Sequence, residues 1–145
     1  MEKMIKKIYD SDNLLAIIIS NKFRESGIHF FTPDEFSQQL AYMQHPKGKT
    51  IQPHLHNSVP RHVEYTQEIL FIKSGIIRVD FYDMEQKYLE SHILSQHDVI
   101  LLIKGGHGFE VLDDIKMFEV KQGPYVGEND KTRFTGVNSK NLKID

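Results

Sequence analysis

The sequence predicts an all-β fold, a sandwich or barrel built from short strands. Segments rich in β-branched and aromatic residues recur along the chain, and from residue 50 onward turn-forming residues interrupt them every 8–14 residues. This spacing is typical of sandwiches and barrels. We expect strands at residues 14–20, 28–31, 50–56, 68–73, 76–82, 88–94, 99–103, 109–112 and 116–121.

One short helix is predicted near the N-terminus, beginning at residue 32. Thr32 fits the N-cap position, Pro33 fits the first helical position, and Glu35 closes a capping box. The helix must be short, because the His-Pro-Lys-Gly sequence at residues 45–48 predicts a turn.

The chain has 145 residues, which fits one domain with a single core. We expect this domain to cover residues 1–134, including the N-terminal strands, and to be followed by a loosely held polar tail at residues 135–145. The net charge of −2 gives no strong attraction to nucleic acid or to an anionic membrane, so neither is expected as a partner. Cysteine is absent, which excludes disulfides, cysteine metal sites and a cysteine nucleophile.

The apolar run at residues 14–19 is far shorter than the roughly 18 residues of a membrane span. Lysines precede it as in a signal peptide, but Asp10 and Asp12 interrupt the pattern and no cleavage site of small residues follows. We therefore expect a strand and a cytoplasmic protein. Because so apolar a strand makes a poor lone edge, residues 14–19 are predicted to pair with another sheet, for instance across a two-fold dimer.

Four residues predict a metal site: His54, His56, Glu68 and His107. Residues i and i+2 of a strand point to the same face, so His54 and His56 would aim two imidazoles into one space. A carboxylate and a third imidazole from neighbouring strands would complete the ligand set. Three imidazoles and one carboxylate suit Fe, Mn, Ni or Zn and leave coordination positions open for water or substrate.

The spacing around three of these ligands is more specific than the ligands themselves. Five residues separate Gly48 from His54-x-His56, and six residues separate Glu68 from Gly75. This arrangement resembles the first motif of the cupin family, G-x5-H-x-H-x(3–4)-E-x6-G.

The gap between His56 and Glu68 departs from that motif, because it holds eleven residues instead of three or four. The longer gap leaves Glu64 as an alternative carboxylate ligand. Glu68 is preferred, since only Glu68 keeps the six-residue spacing to Gly75.

The segment from Asp98 to His107 resembles the second cupin motif, which carries the third histidine. Here too there are departures: His97 stands where the motif has glycine, the motif's proline is absent, and Val111 replaces its final asparagine.

The resemblance covers roughly residues 39–121 and implies a double-stranded β-helix, the cupin jelly-roll barrel. It also implies one divalent metal ion (Fe, Mn, Ni or Zn) and frequent dimerisation, so we expect a homodimer. The arrangement looks similar to small stand-alone cupins associated with bacterial surface-polysaccharide biosynthesis. The family does not determine the reaction. We expect a metal-dependent isomerase, epimerase or oxygenase acting on a small oxygen-rich substrate such as a sugar or sugar acid. The alternative is a non-catalytic module that binds a carbohydrate or another small ligand.

The inserted loop and the C-terminal third supply further candidates. In the loop, Arg61 is a candidate for binding an anionic substrate and His62 is a candidate catalytic residue. Tyr125 follows a Gly-Pro turn and is a candidate substrate contact. Four other histidines are expected to be ordinary polar positions: His29, His45, His92 and His97.

The strand predicted at residues 116–121 allows two interpretations. If Glu119 and Lys121 face the interior, Glu119 is a candidate catalytic residue and Lys121 a candidate substrate contact, because buried charges are costly unless they are paired or functional. If Phe118 and Val120 face the interior, the two charges point to solvent and carry no function.

Overall fold

The structure is a computed structural model that describes residues 4–145. Strands dominate it, as the sequence predicts, and the only helices in this range are two short 3-10 turns, Gly127–Asp130 and Ser139–Asn141. No helix among these residues is long and apolar enough to cross a membrane. The strands are β1 (Ile5–Asp10), β2 (Asn13–Ile19), β3 (Gly27–Phe30), β4 (Ala41–Gln44), β5 (Glu68–Tyr82), β6 (Tyr88–Leu94), β7 (Val99–Leu102) and β8 (Gly106–Lys121).

The chain divides into two compact units. The main unit comprises Met1–Phe23 and Tyr65–Asp145, and the small unit comprises Arg24–Glu64. In the main unit, six strands form one antiparallel sheet in the order β1-β2-β7-β5-β6, with β8 also paired to β5. In the small unit, β3 and β4 form an antiparallel hairpin.

The strands β5 and β8 are each twice as long as expected. Two strands were predicted on either side of Gly75, but β5 runs through it, and β8 likewise joins the strands predicted at residues 109–112 and 116–121. The β5–β8 register shifts repeatedly between Ile72 and Ile77, which marks a series of bulges. Gly75 lies there with φ +95, and a Cβ atom at this position would be 2.0 Å from the backbone oxygen of Asp114. The two strands therefore bend together where the sequence predicted breaks.

The core of the main unit lies on one face of this sheet. On β5, the side chains of Glu68, Leu70 and Ile72 are buried in alternation, whereas Phe71 is exposed. This is the period of two expected for a strand with one face covered. The core cluster consists of Ile8, Ala16, Leu70, Ile72, Ile77, Val79, Phe81, Leu94, Ile100 and Leu102.

The prediction that residues 14–19 need a partner outside their own sheet was wrong. The strand β2 lies between β1 and β7, so both of its edges are paired within the main unit. The sequence analysis did not predict β1, because its lysines and tyrosine show no clear apolar alternation. The strand β2 therefore offers no free edge for a dimer contact.

The predicted short N-terminal helix was also wrong, because residues 31–40 contain turns and no helix. The Gln39 side chain replaces the helical hydrogen bonds: its Nε2 donates to the carbonyl oxygens of Pro33 (2.9 Å) and Phe36 (2.9 Å). The Thr32 hydroxyl donates to Gln39 Oε1 at 2.5 Å and accepts from the backbone N–H of Leu40 at 3.2 Å. Thr32 therefore closes a loop instead of capping a helix.

Residues 50–56, predicted as a strand, have no regular secondary structure and are exposed. Pro53 within this segment lacks an N–H to donate to a strand ladder, which disfavours a paired strand. The turn predicted just before it is confirmed: Gly48 has φ +89, and the Lys49 N–H donates to the Pro46 carbonyl at 3.2 Å.

The polar segment at residues 135–145 is held more firmly than its composition predicted. Ser91 of β6 donates its N–H to the Lys143 carbonyl at 2.8 Å, and the Asp145 N–H donates to the Ser91 carbonyl at 3.1 Å. The Tyr88 hydroxyl accepts from the Lys143 N–H at 2.9 Å. The end of the chain thus runs along β6 and covers part of its edge.

Candidate metal centre

The bend in β5 and β8 brings together two of the four predicted metal ligands. In the strand ladder, His107 lies opposite Phe81, which is thirteen positions along β5 from Glu68. On a straight strand that separation would be about 40 Å. Yet His107 Nε2 lies 3.5 Å from Glu68 Oε2. The sheet must therefore fold back on itself near Gly75, and this fold-back is what creates the site.

Glu68 is only 8% exposed, and its surroundings favour the ionised carboxylate. The contact with the His107 side chain is the largest influence and lowers the pKa of Glu68, while burial works in the opposite direction. The positive charges of Lys121 and Lys131 lower the pKa further. The distance of 3.5 Å between His107 Nε2 and Glu68 Oε2 is long for a hydrogen bond. A cation that replaced the imidazole proton between these two atoms would therefore break only a weak hydrogen bond.

The Glu68–His107 pair fits a shared metal ion. With ligand bonds of about 2.0–2.1 Å, two donors in a tetrahedral site lie about 3.3–3.4 Å apart. The observed 3.5 Å between His107 Nε2 and Glu68 Oε2 matches that distance without any rearrangement. An ionised carboxylate and an imidazole nitrogen are also the donor types that Mn, Fe, Ni and Zn accept.

The β5–β8 register decides between the two interpretations of the last strand. Lys121 lies opposite Glu68 and Glu119 lies opposite Leu70, so both charged residues share the face that carries Glu68. Lys121 Nζ is 4.0 Å from Glu68 Oε1 and 3.7 Å from Glu119 Oε2. Phe118 and Val120 point the other way and are 61% and 58% exposed. A polar line therefore runs from Glu119 through Lys121 and Glu68 to His107.

The small unit places the other two predicted ligands next to each other. The rings of His54 and His56 meet edge to face, with their centroids 5.4 Å apart. His54 Nδ1 lies 2.9 Å from the Gln52 carbonyl oxygen, an arrangement that fixes the ring and directs Nε2 away from the backbone. Both histidines are exposed. The expected proximity of the two imidazoles is thus present, although the strand expected to produce it is not.

The remaining loop candidates have modest contacts of their own. His62 lies 3.4 Å from Glu64, the alternative carboxylate, and both side chains are largely exposed. Arg61 donates to the Val59 carbonyl at 3.1 Å. Its side chain also lines an open cleft of about 500 Å³ within the small unit, together with Phe30, Asp34, Phe36, Ser37 and Gln39.

Tyr125 and Arg78 have surroundings unlike those of Glu68 and Lys121. Tyr125 is 85% exposed. Arg78 binds Asp80 through two hydrogen bonds of 2.8 and 3.0 Å and contacts Glu110 at 2.6 Å. The side chains in ion-pair contact with Glu68 are those of His107 and Lys121.

A second group of metal-type side chains was missed in the sequence. One ligand atom from each of Glu90, His92 and Asp145 lies within 4.8 Å of the others. The spacing of Glu90 and His92 on β6 is the same i, i+2 relation that drew attention to His54 and His56, so the pattern was available. Asp145 could not be added from sequence, because it reaches β6 only through the C-terminal pairing. Lys6 contacts Asp145 and brings a positive charge to this group.

The burial of His92 has a testable consequence for the pH dependence of stability. His92 is 4% exposed, and burial is the main cause that lowers its pKa, although a 2.6 Å contact with Glu90 opposes the shift. Below about pH 6.5 the unfolded chain takes up a proton that the folded chain resists. Stability from this source is therefore complete above that pH and is lost as the pH falls through 6.5 towards the lower folded pKa.

We expect His92→Gln to flatten the fall in the unfolding midpoint between about pH 7.5 and 5.5, measured in chelator. His97→Asn is the matched control, because His97 is exposed and asparagine tolerates its φ of +69. Equal slopes for wild type and His92→Gln would contradict this account of His92.

Comparisons with models of protein families, with curated proteins and with solved structures found no match to this chain. The resemblance to cupins is carried by the motif residues quoted above.

Proposed function

We propose that this protein is a metal-binding cupin in which His54, His56, Glu68 and His107 bind one divalent ion. The observation that carries the proposal is the contact of Glu68 with His107. The two residues are 39 positions apart, belong to the two motifs that resemble those of cupins, and have donor atoms at a separation suited to a common metal. The proximity of His54 and His56 supports the same ligand set.

The proposed fold for this function is the double-stranded β-helix of the cupins. The curled sheet of the main unit, which carries Glu68 and His107, would form part of such a barrel and supports this proposal. Two apolar side chains on the same face of β8 as His107, Phe109 and Val111, are 40% and 52% exposed. Apolar walls around a few polar groups are the usual composition of a small-molecule site.

The proposed activity is that of a metalloenzyme for a sugar or sugar acid, an isomerase, epimerase or oxygenase. A divalent ion bound there would supply Lewis-acid polarisation of a substrate oxygen. Glu119 is the side chain on the polar line that could accept a proton from substrate. Lys121 and Arg61 would attract an anionic group, while His62 and Tyr125 remain candidates for proton transfer and for contact with the sugar.

One observation favours the alternative, a non-catalytic carbohydrate-binding module. Glu119, the candidate base, lies 3.7 Å from the Lys121 ammonium and is therefore already engaged in an ion pair. A protein that only binds its ligand needs no free base, so the ion pair between Glu119 and Lys121 is compatible with binding. Incubation of metal-loaded protein with candidate sugars, followed by NMR of the sugar protons in D₂O, separates the two functions: an enzyme of the isomerase type exchanges or rearranges protons, and a binding module does not.

The strand β8 is the surface we propose for the homodimer contact. Among the described strands, β8 pairs only with β5, and its outer face exposes Phe118 and Val120. A strand with one unpaired backbone edge is normally covered, and exposed apolar side chains on its face favour a partner there. We expect sedimentation velocity at about 100 μM to show a dimer; a monomer at this concentration would contradict the proposal.

The metal proposal itself is tested by elemental analysis of protein purified without added metal. We expect about one divalent ion per chain, and far less in His107→Ala and Glu68→Gln, because each change removes one donor. His97→Asn should retain the wild-type content. Absence of stoichiometric metal after incubation with Zn²⁺, Mn²⁺, Fe²⁺ and Ni²⁺, or equal content in all variants, would refute the proposed site.

A further inference from the structure

The polar line carries unequal charge. It contains two carboxylates, Glu68 and Glu119, and one ammonium, Lys121, which contacts both of them at 4.0 and 3.7 Å. The line thus holds one more carboxylate than ammonium, and the positive charge of Lys131 also acts on Glu68. Lys121 is only 26% exposed, so solvent screens its charge incompletely. The Lys121 ammonium therefore occupies part of the position that a divalent cation at Glu68 would take.

The two oxygens of Glu68 are divided between two partners. Oε2 faces His107 at 3.5 Å, while Oε1 faces Lys121 at 4.0 Å. A metal ion that enters between Glu68 and His107 therefore meets Oε2 first. Binding through both oxygens would require the ammonium to leave Oε1. Lys121 thus restricts Glu68 to a single coordinating oxygen.

We propose that Lys121 acts as a built-in competitor for the metal ion: it neutralises Glu68 in the metal-free protein and must give up part of this contact when a divalent cation binds. The inference rests on the proposed metal site and adds a residue that sets its affinity. Two positive charges cannot share Glu68 without repulsion, and the repulsion between an ammonium and a divalent ion is strong at these distances. The same ammonium keeps the buried carboxylate paired when no ion is bound.

The test is a titration of chelator-treated protein with Co²⁺, followed by visible absorption, which also reports the coordination number. Lys121→Met removes the charge and keeps an unbranched side chain of similar length. We expect it to bind Co²⁺ at least tenfold more tightly than the wild type. Lys116→Met, on the same strand at an exposed position, should bind like the wild type. An affinity of Lys121→Met within threefold of wild type, or weaker, overturns the inference.

A second measurement needs no metal. In chelator, Lys121→Met should lower the thermal midpoint, because Glu68 loses its ammonium partner, and the same change made in a Glu68→Gln background should lower it less. Equal shifts in both backgrounds overturn the inference whatever the Co²⁺ result. If the shifts differ but the wild type binds no Co²⁺, the proposed function falls and the competition falls with it. If the wild type binds Co²⁺ and Lys121→Met binds it equally, only the competition is contradicted.

Discussion

A saturating divalent ion should raise the free energy of unfolding by about 4 kcal/mol when its concentration is a thousandfold above Kd. The reason is that the proposed ligand set would bind the ion in the folded chain only, whereas the unfolded chain would not hold these side chains together. Glu68 and His107 meet only because the β5–β8 ladder folds back. Thermal unfolding with and without chelator should show this gain. The metal-free protein should still fold, since the apolar core of the main unit does not depend on the site.

Substitutions show which side chains bind the ion that raises the free energy of unfolding. His54→Ala should remove most of the difference between metal-loaded and chelated protein, and His97→Asn should leave it unchanged. His92→Ala distinguishes the proposed site from the group formed by Glu90, His92 and Asp145, because it changes only that group. It should lower the thermal unfolding midpoint by the same amount with and without metal. A gain that survives His54→Ala but disappears in His92→Ala would place the ion at Glu90, His92 and Asp145.

Gly75→Ala should destabilise the protein by about 3 kcal/mol or more, the second large effect we expect. Its φ of +95 disfavours any side chain, and a Cβ would lie 2.0 Å from the backbone oxygen of Asp114. Because that neighbour is backbone, relief requires β5 and β8 to separate at the bend. The substitution should therefore also weaken metal binding, although Gly75 is no ligand.

Gly127→Ala is the control for this experiment. Gly127 also has a positive φ, +65, but no atom within 4 Å of its added Cβ, so its substitution tests conformational strain without the clash. We expect a loss of about 1 kcal/mol there. Urea unfolding of both variants in chelator measures the difference. Equal losses would show that the close approach at Gly75 does not hold the bend.

The local sequence pattern was sufficient to predict the positions of several strands of the main sheet. Apolar and β-branched segments bounded by turn residues located the strands at residues 14–20, 88–94 and 99–103; β6 has the predicted bounds, β7 ends one residue earlier, and β2 is shifted by one residue. The spacing from Glu68 to Gly75 also selected the carboxylate that contacts His107. Such signals succeed because a buried strand requires a short apolar segment between turns.

The same reasoning failed where side-chain hydrogen bonds or strand pairing, which the local pattern does not encode, determined the structure. The capping pattern at Thr32 predicted a helix, but the Gln39 side chain takes the backbone carbonyls that a helix would have used. Ser74 and Gly75 were predicted to separate two strands, but β5 continues through them, because such residues can either end a strand or bend it. Here the pairing of β5 with β8 on both sides of the break made it a bend.

Segments with few apolar residues were not predicted from the sequence to be part of the sheet. The strand β1 and the segment at residues 135–145 have few apolar residues; β1 pairs with the adjacent β2, and the C-terminal segment pairs with β6, which is distant in sequence. Ser91, which pairs with the C-terminal segment, gives no sign of this in its own surroundings. The group formed by Glu90, His92 and Asp145 was hidden for the same reason.

The most direct test of the central claim is a crystal structure of zinc-loaded protein with an anomalous difference map at the zinc edge. The account predicts one strong peak per chain, about 2.0–2.3 Å from a ring nitrogen of His54, His56 and His107 and from an oxygen of Glu68. A peak bound by Glu90, His92 and Asp145 instead, or a zinc-loaded protein whose peak has fewer than three of the four proposed ligands, would contradict it.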